Sequence, residues 1–424
     1  MINEKRSSTE FHDKVENRSL HIAVIGLGHI GIPTGLVFAH AGFAVTGVDT
    51  NPTIVGRLND GHLHIREPGL YDYYVQALQS GRFRASTDVP LADVYIVTTP
   101  TPVTAEKKAD LRHVKSAIEN LALRLRKGNM VIVESTVPPR TCETLVGLTI
   151  FERTGLKHGC DYDLVHCPER VMPGKVLTEI VENKRIVGGT TPEATARAAQ
   201  LYLTWVSGEI LRTDATTAEL CKLMENAFRD VNIALANEFS QICRQLGVDV
   251  QEAIHLANQH PRVTIHQPGI GVGGNCVPVV SWFLVEIAPQ YSRLVQTARI
   301  VNDHMPIVAA DHIQSELESK GLKPSHTTIG IIGLTYKPDV DEFSNSPAIT
   351  VALELQRRGY KVNVWDPYLD DEAELRGLNI QDLETIRHSD YVIELVHHRS
   401  STQRRPTNQR QCGFTPTRER QSTF

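Results

Sequence analysis

The chain is poor in the features that would place it in several large classes of protein. Its 7 cysteines are scattered over 424 residues and none stands in a CxxC pair. Neither a disulfide framework nor a metal centre is therefore expected, and reduced thiols in a cytoplasmic setting fit best. There is no excess of positive charge: 44 Lys and Arg face 49 Asp and Glu, a formal net charge of −5. That balance offers little to nucleic acid or to an anionic membrane surface. No apolar run reaches the ~18 residues of a membrane span, and the most apolar stretch, residues 277–288, is broken by Ser281 and Glu286. The first twenty residues are polar and lack the apolar centre of a signal peptide, so they read as a tail.

What is present is ordinary globular composition, 41% hydrophobic and 22% charged, in a chain long enough for two or three domains. Residues 21–25 (HIAVI) form a short β-branched run that reads as a buried parallel strand. Gly26-Leu27-Gly28-His29-Ile30-Gly31 follows at once, then a helical pattern over residues 33–41 and a second strand closed by Asp49. This is GxGxxG in the context that gives it meaning. Gly26 permits the tight turn, Gly28 lets the backbone approach a pyrophosphate, and Gly31 allows close helix–strand packing. The helix N-terminus attracts the phosphates. Asp49 can accept hydrogen bonds from both ribose hydroxyls and would repel a 2′-phosphate, so NAD is expected rather than NADP.

The alternation continues. Strands are expected at residues 92–98 and 130–134, with a helix over 111–127 between them, and at 163–166, 185–188 and 209–212. In open α/β sheets ligands bind beyond the carboxyl ends of the strands. Thr101 and Thr136 lie there, each fit either for a ligand or for ordinary turn chemistry. Residues 216–246 read as one long helix, with Lys222, Asn226 and Arg229 on one face at i, i+4 and i+7. Such a helix suits a spine or a dimer contact. The stretch PGIGVGGNCVPVVSWF, residues 268–283, sets Cys276 behind Gly269, Gly271, Gly273 and Gly274, glycines that permit positive φ and close approach. A thiol there is either an exposed nucleophile or a buried filler. From residue 327 a second α/β unit begins. It lacks GxGxxG and carries Gly333-Leu334-Thr335-Tyr336-Lys337-Pro338, which suggests a different nucleotide-bearing ligand with Lys337 toward a phosphate. Residues 397–424 hold scattered arginines without periodicity and are expected to be disordered.

The expected class is α/β, two Rossmann-like doubly wound domains joined by a long central helix. The expected divisions are a polar tail (1–20), an NAD-binding domain (21–213), a central helical and dimerisation domain with the cysteine loop (214–305), a second Rossmann-like domain (306–396), which the resemblance described next implies to be a truncated UDP-sugar-binding domain, and a basic tail (397–424).

The ordered motifs PTP, STVPP, PERVMPG, KLMENAFRD, HPRV, GVGGNCVP and GLTYKPDVDE resemble those of the nucleotide-sugar 6-dehydrogenases, the UDP-glucose and GDP-mannose dehydrogenase superfamily, over residues 20–396. NQHPRVT and ENAFRDVNIALANE most resemble the branch that oxidises UDP-N-acetyl-D-mannosamine for surface polysaccharide. The resemblance implies a cytoplasmic homodimer that takes a UDP-sugar and two NAD through a four-electron oxidation. The 6-hydroxyl becomes an aldehyde, Cys276 thiolate captures it, a second hydride leaves, and water hydrolyses the thioester. It further implies that Lys222 serves proton transfer or holds the oxyanion, that Glu169 acts as base, and that Asn226 stabilises an oxygen. Lys222, Asn226, Arg170, Val171, Arg229, His260, Arg262, Gly273, Tyr336 and Lys337 match substrate contacts. Gly26, Gly28, His29, Ile30, Gly31, Asp49, Thr101 and Thr136 match NAD contacts.

Three positions depart from the family pattern. Val280 replaces an aspartate four residues after the cysteine, Asn275 a histidine, and Ser344 an arginine. The family chain also runs on past Val396 through another helix and strand, and a truncated or frame-shifted end is one explanation. Two alternatives stay open: an impaired relative that binds NAD or UDP-sugar, and a dehydrogenase for another sugar nucleotide such as UDP-GlcNAc, UDP-glucose or GDP-mannose.

Overall fold

The computed structural model describes residues 10–369, 375, 377–399 and 410–411. Its contacts divide the chain into two compact units, Met1–Met224 and Glu225–Phe424.

The first unit is built on eight strands: β1 (His21–Ile25), β2 (Ala44–Val48), β3 (Phe83–Ser86), β4 (Val94–Val97), β5 (Met130–Val133), β6 (Asp163–His166), β7 (Arg185–Gly189) and β8 (Ile210–Asp214). They lie in the order β3-β2-β1-β4-β5-β6-β7-β8, parallel at each pairing except β6 with β7. β4, β5 and β6 are buried at every position, which is why they read as unbroken apolar runs: helices cover both faces. Alternate residues feed two cores. Ile22, Val24, Ile96 and Ile132 pack with Phe38 on one face, while Ala23, Ile25, Val97 and Val133 pack with Ile118 and Ile150 on the other. The order reverses between β1 and β4, so a crevice opens above the end of β1, where Gly26 begins.

Two parts of this unit differ from the sequence-based reading. The polar tail contains a helix, residues 10–16, that buries Phe11 and Val15 in the first core; their i, i+4 spacing puts both on one face. The edge strand β3 and the helix before it, Leu70–Gln79, were not anticipated.

The second unit begins inside the helix Ala215–Leu246. Its sheet comprises β9 (Thr328–Ile332), β10 (Lys361–Trp365), β11 (Asn379–Ile380), β12 (Tyr391–Glu394) and β13 (Arg410–Gln411). The order is β11-β10-β9-β12-β13, parallel throughout. The division expected at 305/306 falls within one continuous helix, Arg293–Ser319, with Pro306 inside it. A proline removes a single ladder hydrogen bond, and this one is buried, with Met305, Ala309 and Ile313 packed into the second unit's core. The basic tail also needs correction. The fully buried His398 accepts from the Asp339 N–H at Nδ1 (3.0 Å) and turns Nε2 toward Asp366 (3.1 Å). Arg399 donates through Nε to Asp339 (2.6 Å), and residues 410–411 pair with β12. The rest of that tail lies outside the described residues.

Candidate active site

The first unit offers a dinucleotide cradle. Gly26 leaves β1 at φ +102°. A Cβ on Gly31 would stand 1.8 Å from the Gly26 carbonyl oxygen, whereas one on Gly28 would meet nothing within 4 Å. Gly31 is therefore locked under the turn, and Gly28 faces open space. The helix Gly31–His40 starts at Ile30 with no side-chain cap; Ile32 N–H already donates to the Gly28 carbonyl (3.1 Å) and Pro33 has no N–H, so what the turn offers an anion is the positive end of the helix and the backbone before Ile32. His29 is exposed beside it. Asp49 accepts from the Leu27 N–H (3.0 Å) and the Asn51 N–H (2.9 Å), which fixes its carboxylate beside the turn with acceptor capacity to spare. Thr101 donates to the Thr136 carbonyl (2.7 Å), so these two expected contacts are neighbours. The donors, the acid and the open Gly28 face fit NAD.

These two glycines separate binding from folding. Gly28→Ala is expected to leave the thermal midpoint unchanged and to weaken NAD binding about tenfold or more, since the added methyl fills the ligand's approach. Gly31→Ala must displace backbone and is expected to cost several kcal/mol of stability, at the upper end for point mutants. Thermal melts and calorimetric NAD titrations of both variants check this.

Beyond the carboxyl end of β6, Lys222 of the long helix is tied down twice. Its ammonium donates to the Glu169 carboxylate (2.7 Å) and to the Glu169 carbonyl (2.7 Å). The second carboxylate oxygen accepts from the Val171 N–H (2.9 Å). Both side chains are under a tenth exposed. Burial pushes the Glu169 carboxyl up, but the Lys222 charge and these hydrogen bonds overcome it and hold the group below its ordinary value. The result is an ionised carboxylate against a buried cation. Arg170, adjacent, donates to the Lys184 carbonyl (3.0 Å).

In the second unit, Cys276 is the exposed residue that precedes the helix Val277–Ile287. A sulfur at a helix N-terminus is favoured as thiolate. Of the four glycines before it, Gly271 and Gly274 take the left-handed φ, +134° and +89°. Gly269 and Gly273 do not. Gly273 is required for closeness: its Cβ would lie 2.7 Å from Tyr336 Cβ and 2.7 Å from the Asn345 carbonyl. The cysteine loop thus lies on the loop after β9. Gly274 donates to the Ser344 carbonyl (2.8 Å), Asn345 to the Gly274 carbonyl (3.1 Å), and Asn275 to Glu342 (3.1 Å). Gly273, Cys276, Tyr336 and Lys337 therefore belong to two adjoining loops. His260 and Arg262 stand exposed on a loop stapled by Asn258, whose side chain bonds both backbone groups of Ile265 (3.0 and 2.7 Å). Of the expected helix face, Asn226 is buried and Arg229 exposed; Arg229 lies near enough to His266 for its charge to add to burial in lowering that imidazole.

Sequence reasoning missed the network behind the cysteine loop. Asp230 accepts from Ser281 (2.8 Å), Arg299 (2.6 Å) and Asn302 (2.8 Å). Asn237 donates to Asn302 (2.9 Å) and accepts from the Gly269 N–H (2.8 Å). Asp230 and Arg299 are fully buried. The tethers fix Gly269 and Ser281, at either side of Cys276, to the long helix.

The glycine cradle, the closing acid and the doubly wound sheet define an NAD-binding α/β dehydrogenase scaffold. Profiles of the UDP-glucose/GDP-mannose dehydrogenase family match in order: its NAD binding domain at residues 20–206, its central domain at 216–304 and its UDP binding domain at 330–410. The chain belongs to that family. It is 42% identical over 382 residues to a UDP-N-acetyl-D-mannosamine dehydrogenase of Pyrococcus horikoshii, covering 89% of this chain and 90% of the relative. The Escherichia coli K12 enzyme of the same name is 41% identical over 393 residues, covering 89% and 93%. A solved structure of the Pyrococcus horikoshii UDP-D-ManNAc dehydrogenase superposes with TM-score 0.85 at 39% identity, covering 90% of each chain.

Proposed function

We propose that this chain oxidises the 6-hydroxyl of UDP-N-acetyl-D-mannosamine to the uronate, in the cytoplasm, as a supplier of surface-polysaccharide precursors. The observation that carries the reading is Cys276, an exposed thiol at a helix N-terminus on a glycine loop held by the UDP-binding region. NAD, when bound at the glycine turn, accepts the hydrides. Cys276 thiolate attacks the first-formed aldehyde carbon and is released when water hydrolyses the thioester. Glu169, already ionised, takes the proton from that water. Lys222 holds the developing oxyanion or moves its proton, and Asn226 donates to a substrate oxygen. Arg170, Val171, Arg229, His260, Arg262, Gly273, Tyr336 and Lys337 contact the sugar nucleotide, with Lys337 at a phosphate. Gly26, Gly28, His29, Ile30, Gly31, Asp49, Thr101 and Thr136 hold the cofactor.

The working form is a homodimer joined through the long helix. Phe228, Leu235 and Ile242 repeat every seven residues, so they form one stripe along that helix, and they are 64%, 40% and 52% exposed. Such a stripe is a helix-pairing seam.

A second reading, a relative that binds but turns over poorly, is favoured by Val280, a buried aliphatic where the family pattern has an acid. A panel of UDP- and GDP-sugars decides. Two NADH per sugar, fastest with UDP-N-acetyl-D-mannosamine, is the expected result; calorimetric binding of NAD with no NADH from any sugar would support the second reading.

A further inference from the structure

Three residues far apart in the chain meet inside the first unit. Cys142 opens the π-helical turn Cys142–Gly147, His166 ends β6, and Glu219 lies near the start of the long helix, one turn before Lys222. One sulfur, one imidazole nitrogen and one carboxylate oxygen from these residues lie within 4.8 Å of one another. All three side chains have 0% exposure.

The three are not equally provided for. Glu219 is held in place: its two oxygens accept from the backbone N–H of Arg140 and of Cys142, the latter at 2.8 Å. That is how an outer hydrogen-bond shell orients a ligating carboxylate. The Cys142 thiol faces the same carboxylate. His166 is the opposite case: neither Nδ1 nor Nε2 makes a hydrogen bond of good geometry, and the Val133 carbonyl stands close enough only to act on one edge of the ring. An orphaned polar group in the interior costs about 1–3 kcal/mol; the Val133 carbonyl can serve one ring nitrogen at most, so the other, fully buried, calls for an occupant. The hydroxyl of Tyr162, near enough to Cys142 for their charges to interact, is also buried without a partner.

We propose that Cys142, His166 and Glu219 form a binding site for a zinc-class divalent ion, a structural clip distinct from the catalytic residues. The donor set is one sulfur, one nitrogen and one oxygen, which suits zinc or cobalt; magnesium and calcium prefer all-oxygen sites. Binding displaces the thiol proton to solvent, together with the carboxyl proton where Glu219, pushed up by burial to about 7, still carries it. Thiolate, carboxylate and neutral imidazole then carry two negative charges that the ion cancels, which removes the expense of burying them unpaired. The nearest cation felt at His166 is Lys222, and its charge is matched by Glu169 at 2.7 Å. The clip joins the segment before Glu169, the turn after β5 and the first turns of the long helix, so it braces Lys222 and Glu169. The scattered cysteines gave no sign of it, because its ligands come from three separate elements, against the expectation of no metal centre.

The test is zinc content after expression of the full chain in zinc-supplemented medium, since a buried site loads during folding. Cys276→Ser serves as the parent, which removes the exposed thiol as a rival ligand. Elemental analysis of the desalted parent is expected to find about one zinc per chain, and Cys276→Ser/His166→Gln about a tenth of that or less. Growth in cobalt should give the parent a near-ultraviolet thiolate-to-cobalt absorption that Cys276→Ser/Cys142→Ala loses. A folded parent with no zinc overturns the proposal whatever the variants do, as does zinc retained undiminished in the His166→Gln protein.

Discussion

Cys276→Ser is expected to lower steady-state NADH formation by about a thousandfold or more while NAD binding and the melting temperature stay as they are. The nucleophile must add to a carbonyl carbon at neutral pH, and a serine hydroxyl gives up its proton far less readily than a thiol. The stability side follows from the surroundings. The residue is exposed, so no cavity opens. The loop is held through Gly274, Asn275 and Asn345, none of which needs the sulfur. Absorbance assays, calorimetry with NAD and a thermal melt on one preparation give all three readings. A serine variant with near-normal turnover would remove the cysteine from the mechanism.

Lys222→Met is the second large effect, and it strikes stability and activity together. The ammonium is the cation beside a buried carboxylate, so its removal strands Glu169 and is expected to cost about 3–5 kcal/mol. Adding Glu169→Gln removes the stranded charge, so the double variant should regain most of that stability and none of the turnover. The pH dependence has a definite sign. Because the folded Glu169 carboxyl is held below its ordinary value, its contribution is fully present above the unfolded value of about 4.3. It is lost as pH falls through the lower folded value. Wild-type stability should therefore decline on the acid side partly through this group, and that part of the slope should vanish in the double variant. Urea melts between neutral and acid pH measure it.

The particular residues explain what could be read from the chain and what could not. β1, the glycine turn and Asp49 were legible because a buried parallel strand is a run of β-branched residues and the turn has few sequence solutions. The helix Arg293–Ser319 was not. Periodicity treats Arg299, Asn302 and Asp303 as solvent-facing, yet Arg299 and Asn302 are buried against Asp230, and Pro306 reads as a break. The helix at residues 10–16 was missed because Phe11 and Val15 are only two apolar anchors among charged neighbours. His398 was assigned to a loose tail because its partner Asp366 sits on another strand's end. At the site, the residue types were visible in the motifs, but the pairing of Lys222 with Glu169 depends on the sheet placing the end of β6 beside the helix. The two roles for glycine, positive φ at Gly271 and Gly274 and close approach at Gly273, likewise separate only in three dimensions.

The most direct test of the covalent mechanism is an acid quench during turnover with UDP-N-acetyl-D-mannosamine and NAD, followed by mass analysis of the peptide that carries residue 276. A Glu169→Gln background slows hydrolysis and lets the acylated form build up. The expected result is that peptide heavier by the sugar nucleotide less four hydrogens, three from the sugar's CH2OH and one from the thiol, two of them leaving as hydride and two as protons. An unmodified peptide at every time point, while two NADH per sugar still accumulate, would contradict it.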